Sequence, residues 1–203
     1  MKPRHPGDLA VARLERDTTR AGLDRWPLPA SEDTTGAKRE RACLVENKIG
    51  SPLPRLRTVV ERIANSPSIW FSSVRFDLSD RYCHRLSRDD AHEVWLICWD
   101  LGQDTLLHDH GGSSGAFAVA SGGLIEDFGS RHLPELRTRR HLAGSSVEFD
   151  VDYVHNLVNV GLQPTVSIHA YSPPLRTMNF YCWLPTGMHH LRELPCDRPE
   201  PVP

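Results

Sequence analysis

From about Trp70 onward, every apolar run in this chain is short and closes on a turn signal. Candidate strands fall at 81–86, 93–99, 106–110, 115–120, 123–128, 138–141, 146–149, 154–160, 165–171 and 178–183. Arg88-Asp-Asp-Ala, Ser121-Gly-Gly, Ala143-Gly-Ser and Val160-Gly-Leu-Gln-Pro separate several of them. Many short strands with regular turns predict an all-β sandwich or barrel. One amphipathic helix precedes them. Leu56, Val59, Val60 and Ile63 recur at helical spacing, and Asn65-Ser66-Pro67 ends the pattern.

Inside this run of strands sits a histidine pair. His108 and His110 are spaced i, i+2, and on a strand such side chains leave the same face. Both can therefore enter one cavity and share one metal ion. Apolar runs flank them at 94–99 and 116–119, and Gly102 and Gly122 punctuate the two ends. Gly111 and Gly112 allow a sharp turn straight after the pair. A second stretch, from Gly144 to Asn159, carries His155 on a short apolar strand.

Together the two stretches resemble the two motifs of the cupin superfamily, whose double-sheet jelly roll is an all-β architecture. The first is Gly, five residues, His-x-His, then a variable site, then Gly. The second ends in His, three residues, Asn. Two departures matter. Gly115 stands where the first motif usually has a carboxylate ligand, and Asp150 and Asp152 replace the Pro and Gly that usually precede the second-motif His. The resemblance implies a ligand set of three histidines: His108, His110 and His155.

A third stretch reads Ser167-Ile-His169-Ala-Tyr171-Ser-Pro-Pro. Ser167, His169 and Tyr171 alternate, so they share one strand face, and an inward polar row must be hydrogen-bonded internally or to a ligand. Following a cupin second motif, this row resembles the cysteine dioxygenase family of thiol dioxygenases, with Trp99 nine residues before the histidine pair as a further match. The likeness runs from about Tyr82 to Pro174. It implies Fe(II) held by His108, His110 and His155, and a relay of Ser167, His169 and Tyr171. It implies Tyr82, Trp99 and an arginine near the substrate, the arginine binding a carboxylate. The matching region is Tyr82-Cys83-His84-Arg85, one residue out of step, so Arg85 is the expected carboxylate ligand and His84 the competing one. Gly115 occupies the place of the cysteine that animal members link to the relay tyrosine, which implies a chain without that crosslink, as in bacterial members.

Composition excludes other classes. The chain has 203 residues and a formal net charge of −2, enough for one sizeable core and too balanced for a nucleic-acid or anionic-membrane binder. No apolar run has the length of a membrane span, and the start, Met1-Lys-Pro-Arg-His-Pro, lacks a secretory apolar region. Five cysteines without paired spacing argue against a disulfide framework and for a reducing cytoplasm. Residues 1–50 are expected as a partly ordered polar extension with a short helix near 9–14. Residues 51–190 are the expected cupin domain, and 191–203 an extended tail.

The expected function is oxidation of a small thiol carboxylate by O2, most simply L-cysteine to cysteine sulfinate, by a monomer or weak homo-oligomer. A 3-mercaptopropionate or related thiol-acid dioxygenase is the nearest alternative. A cupin enzyme using nickel, manganese or zinc, and a non-catalytic metal-binding cupin, also remain open.

Overall fold

The computed structural model describes residues 55–132 and 135–196. The expected extension at 1–50 and the last residues of the expected tail lie outside them. Two short helices, α1 (Leu56–Ala64) and α2 (Pro67–Trp70), and a single 3-10 turn (Phe71–Ser73) lead into eleven strands. These are β1 (Tyr82–Arg88), β2 (Glu93–Trp99), β3 (Leu107–His108), β4 (Ser114–Ser121), β5 (Gly123–Ser130), β6 (Arg137–Leu142), β7 (Ser146–Phe149), β8 (Tyr153–Val158), β9 (Thr165–Ser172), β10 (Thr177–Leu184) and β11 (Gly187–Pro195).

The strands form a five-stranded sheet, in the order β1-β2-β9-β4-β7, and a six-stranded sheet, in the order β11-β10-β3-β8-β5-β6. All pairings are antiparallel. One core cluster joins them: Trp95, Ile97, Trp99, Phe117, Val119 and Tyr171 from the first sheet meet Leu124 and Leu157 from the second. The result is the double-sheet jelly roll of a cupin.

The five-stranded sheet is buried on both sides. Its inner face carries the alternate residues Gly115, Phe117 and Val119 of β4, paired with Tyr171, His169 and Ser167 of β9. The other alternation, Ala116 with Ala170 and Ala118 with Ile168, is small and apolar. Helix α1 packs there, against β4, β9 and β7, burying Val59, Val60 and Ile63. Strand β2, between β1 and β9, is buried at all seven positions and reads as a continuous apolar run.

The last strand departs from expectation. Residues 191–195 are extended, but as part of β11 paired along β10, not as an arm. Its sequence, Gly-Met-His-His-Leu-Arg-Glu-Leu-Pro, is mostly exposed, so no buried alternation marked it. What holds it is the need of β10's outer backbone groups for partners.

Ile63 is 2% exposed beneath the sheet and its carbonyl accepts the Trp70 indole N–H at 3.0 Å. Ile63→Ala should cost about 2–4 kcal/mol of stability. Urea unfolding should show a lower midpoint with an unchanged slope.

Candidate metal centre

His108 ends β3 and lies directly opposite His155 on β8. His110 follows two residues later, beyond the strand. The residue between them explains why both histidines turn inward. Asp109 is fully buried on the opposite side, where it accepts hydrogen bonds from the Gly111 N–H at 2.9 Å, the Asn179 amide at 2.9 Å and the Tyr181 O–H at 2.7 Å. Arg131 lies 3.4 Å from its other face. The loop is thus bolted to β10. Gly111 has φ of +58° and sits against the Thr177 carbonyl, where a Cβ would collide; this is the turn that the glycine pair predicts.

The three imidazoles converge, with ligand atoms all within 4.8 Å of one another. Ring centroids are 5.1 Å apart for His108 and His110, 4.8 Å for His108 and His155, and 5.1 Å for His110 and His155. None is more than 1% exposed. The His108 Nδ1 donates to the Leu106 carbonyl at 2.7 Å, and the His155 Nδ1 to the Glu126 carboxylate at 2.7 Å. Since carbonyl and carboxylate only accept, both rings carry their proton on Nδ1 and offer a lone pair at Nε2. The His155 Nε2 and both His110 nitrogens are buried with no protein hydrogen-bond partner. Buried lone pairs without a donor are costly, and a shared cation satisfies them. The donor set fits a metal ion, and imidazoles suit iron, zinc, copper and nickel alike. Burial, then the neighbouring His155, pushes His108 and His110 well below the ordinary histidine range, so both are neutral ligands.

Behind His155 lies a residue that sequence reasoning missed. Glu126 is fully buried and four groups donate to it. One oxygen accepts His155 Nδ1 and Tyr153 O–H, each at 2.7 Å; the other accepts Arg139 Nε at 2.6 Å and His141 Nε2 at 2.7 Å. Burial alone would raise its pKa, but the donors outweigh burial and hold it well below the usual carboxylate range. Leu124, Glu126 and Phe128 alternate on β5. A carboxylate on that inward row was the available signal. His141, which shows no partner pattern in the sequence, is buried against this carboxylate.

The opposite sheet carries the row of Ser167, His169 and Tyr171. The Trp99 indole N–H donates to Ser167 Oγ at 2.8 Å, and Ser167 Oγ lies 2.8 Å from His169 Nε2. The His169 Nδ1 is 3.3 Å from the Tyr171 hydroxyl. These distances set a direction. The indole can only donate, so the serine accepts there, and its own buried proton needs an acceptor, which His169 Nε2 supplies. Nδ1 then carries the histidine proton and donates to the Tyr171 hydroxyl. Burial first, then His155, pushes His169 down to about 3, so the ring is neutral. The Tyr171 ring lies 5.1 Å from the His110 ring. Gly115 is the cross-strand partner of both Tyr171 and Phe149. A Cβ at Gly115 would come within 2.5 Å of the Phe149 ring, which stacks on His110 at 4.8 Å. The ring of Phe149 fills the space beside Tyr171.

The structure separates the substrate-side candidates. On β1, Tyr82 pairs with Cys98 and His84 with Leu96, which places both on the face away from the core cluster. They stack on each other at 6.4 Å. Tyr82 is therefore not brought to the cavity, because strand alternation sends it outward. Arg85 pairs with Trp95 on the inner face, its guanidinium 5.3 Å from the indole centroid, and it is exposed, which puts it at the rim. A register shift between Arg85 and Ser87 accompanies this placement. Trp95 Nε1 is buried with no protein acceptor. Arg81, absent from the sequence-based set, is 7% exposed, lies over Trp99 at 5.5 Å and donates to the Asp104 carbonyl.

A two-sheet antiparallel roll with three histidines from one sheet facing a Ser–His–Tyr row from the other defines a cupin with an all-histidine centre. Residues 54–182 match the family described as cysteine dioxygenase type I. The chain is 26% identical over 136 residues to cysteine dioxygenase type 1 of Rattus norvegicus, covering 62% of this chain and 68% of that protein. It is 26% identical over 133 residues to that of Danio rerio, covering 60% and 66%. Among solved structures, an RmlC-like cupin protein from Desulfovibrio desulfuricans aligns with a TM-score of 0.42 and 16% identity, over 50% of this chain and 91% of that one. The chain belongs to the cysteine dioxygenase type I family.

Two outcomes are expected. His155→Ala should abolish tight binding of one divalent ion per chain, measured by metal analysis after gel filtration. The metal-free protein should lose stability as pH falls. His169 is neutral in the fold down to about pH 3 but takes a proton near 6.5 when unfolded, and His108 and His110 shift the same way. The unfolded state thus binds more protons below about pH 6.5, so stability decreases from there towards pH 3. Urea midpoints across that range that fail to fall would contradict this electrostatic picture.

Proposed function

We propose that this protein is a cytoplasmic, Fe(II)-dependent thiol dioxygenase that converts L-cysteine to cysteine sulfinate. Both atoms of O2 end on the sulfur, so thiol plus O2 gives sulfinic acid with no other reductant. The observation that carries this reading is the convergence of His108, His110 and His155 opposite the directed chain Trp99–Ser167–His169–Tyr171.

The three histidines would hold the iron, which when bound would supply a cationic centre that stabilises a thiolate and leaves positions for substrate and dioxygen. Because all three ligands are neutral, an anionic thiolate is the favoured partner. Tyr171 would hold its proton towards the reacting sulfur and oxygen. The hydrogen bond from His169 orients its hydroxyl, and Ser167 and Trp99 keep His169 in the tautomer that does so. Phe149 packs against His110 and closes the space beside Tyr171 to water.

Substrate choice rests on Arg85 and Trp95. The guanidinium at the rim and the unpartnered indole N–H beneath it form a two-donor site suited to a carboxylate. A thiol whose carboxylate lies a few bonds from sulfur would bridge that site and the metal. The substrate's sulfur would then lie near Tyr171.

Oxygen uptake by the iron-loaded protein with cysteine, 3-mercaptopropionate and cysteamine tests this reading. Cysteine should consume about one O2 per sulfinate formed. Tyr171→Phe should keep its iron and slow turnover on the order of 10²-fold. Arg85→Ala should raise KM for cysteine by roughly tenfold to a hundredfold, the loss of one charged hydrogen bond of about 1.5–3 kcal/mol. Cysteamine, without a carboxylate, should be indifferent to that change. Faster turnover of 3-mercaptopropionate than of cysteine would move the assignment to the thiol acid, and no uptake with any thiol would sink it.

A further inference from the structure

We infer that Glu126 is a positioning and charge-setting residue for the metal centre, supplying from behind His155 the negative charge that the ligand set itself lacks. The inference rests on the metal-site reading but not on any particular substrate.

Three observations lead to it. First, the cupin motif that this chain resembles has its carboxylate ligand at the position of Gly115, and a Cβ there would come within 2.5 Å of the Phe149 ring, so the three histidines bring no negative charge to the ion. Second, a carboxylate is present all the same, one hydrogen bond away. Glu126 is 0% exposed and receives the His155 Nδ1–H at 2.7 Å. A buried carboxylate is expensive unless every lone pair is used. Here the four donors occupy both oxygens: His155 and Tyr153 on one, Arg139 and His141 on the other. Third, β5 and β8 are hydrogen-bonded neighbours, with Glu126 opposite Leu157 and Phe128 opposite His155. The acid is therefore held by the sheet and cannot swing in to become a direct ligand without breaking four hydrogen bonds.

Such an acid does two things to the histidine in front of it. It keeps the proton on Nδ1 and so aims the Nε2 lone pair at the ion. It also makes the imidazole a stronger donor, because negative charge behind the ring favours the more positive metal. Arg139 partly offsets that charge. Its side chain is 35% exposed, its Nε is 2.6 Å from Glu126, and its guanidinium also donates to the Tyr153 hydroxyl. The charge felt at His155 is thus a balance of Glu126 against Arg139, with Arg139 reachable from the surface.

The balance gives a test with opposite signs. Glu126→Gln removes a negative charge, so the midpoint potential of bound iron should rise. Arg139→Gln removes a positive charge, so the potential should fall, and Arg139→Lys should restore it in part. Co(II) affinity, measured by chelator competition, should drop about 10- to 100-fold in Glu126→Gln. Potentials that move in the same direction in both variants, or in neither, indicate a merely structural role and overturn the inference. If Glu126→Gln does not fold, the Arg139 pair decides alone: a fall with Gln that Lys reverses supports it, and no shift overturns it. Wild-type protein that binds neither iron nor Co(II) would instead overturn the metal-site reading itself.

Discussion

Everything else in the structure is arranged around three imidazoles buried against one another. Their ligand atoms lie within 4.8 Å, and burial beside one another pushes His108 and His110 well below the ordinary histidine range. The lone pairs of such a cluster cannot be left without a partner at no cost. The fold accepts this arrangement because Asp109 and Glu126 anchor the elements from behind. One carboxylate ties the histidine loop to β10 and Arg131, and the other ties β8 to β5 and β6. Each is buried, and each has its hydrogen-bonding capacity taken up by named donors.

The two sheets divide the work. The six-stranded sheet carries His108 and His155, with His110 on the loop after β3 and Glu126 behind His155. The five-stranded sheet carries the proton chain, which begins at an indole that can only donate and ends at a tyrosine. Helix α1 seals the back of that second sheet, and the six-stranded sheet covers the opposite face, on which Ser167 and His169 are wholly buried. Isolation from water keeps His169 neutral and its tautomer defined. The rim, by contrast, is open at Arg85.

Much of the fold was legible because its signals are local. Ten of the eleven strands show as short apolar or alternating runs, and α1 as a 3.6-residue period. The strand that escaped, β11, is an exposed edge whose pairing depends on β10, and nothing within its own residues announces that. In the candidate site, the shared face of His108 and His110 and that of Ser167, His169 and Tyr171 were legible because i, i+2 spacing on a strand needs no tertiary information, while their roles came from the family resemblance. Tyr82 failed for the complementary reason. Which face a strand turns inward depends on its register with a neighbour, and the pairing of Tyr82 with Cys98 turns it out. The same pairing, with its irregularity after Arg85, sends Arg85 inward and His84 outward.

The sequence by itself determined the strand-rich roll, the shared face of His108 and His110 and the polar row, because each is a periodic pattern of side chains; His155 followed only from the resemblance of its motif. Tertiary structure alone decided which atoms of those side chains act. It placed Glu126, His141 and Arg139 behind His155, gave the relay its direction through Trp99, and set Phe149 against Gly115. Each of these contacts joins residues distant in the chain. Their physical content is a hydrogen bond or a filled volume between two sheets, and no pattern along a single strand encodes it.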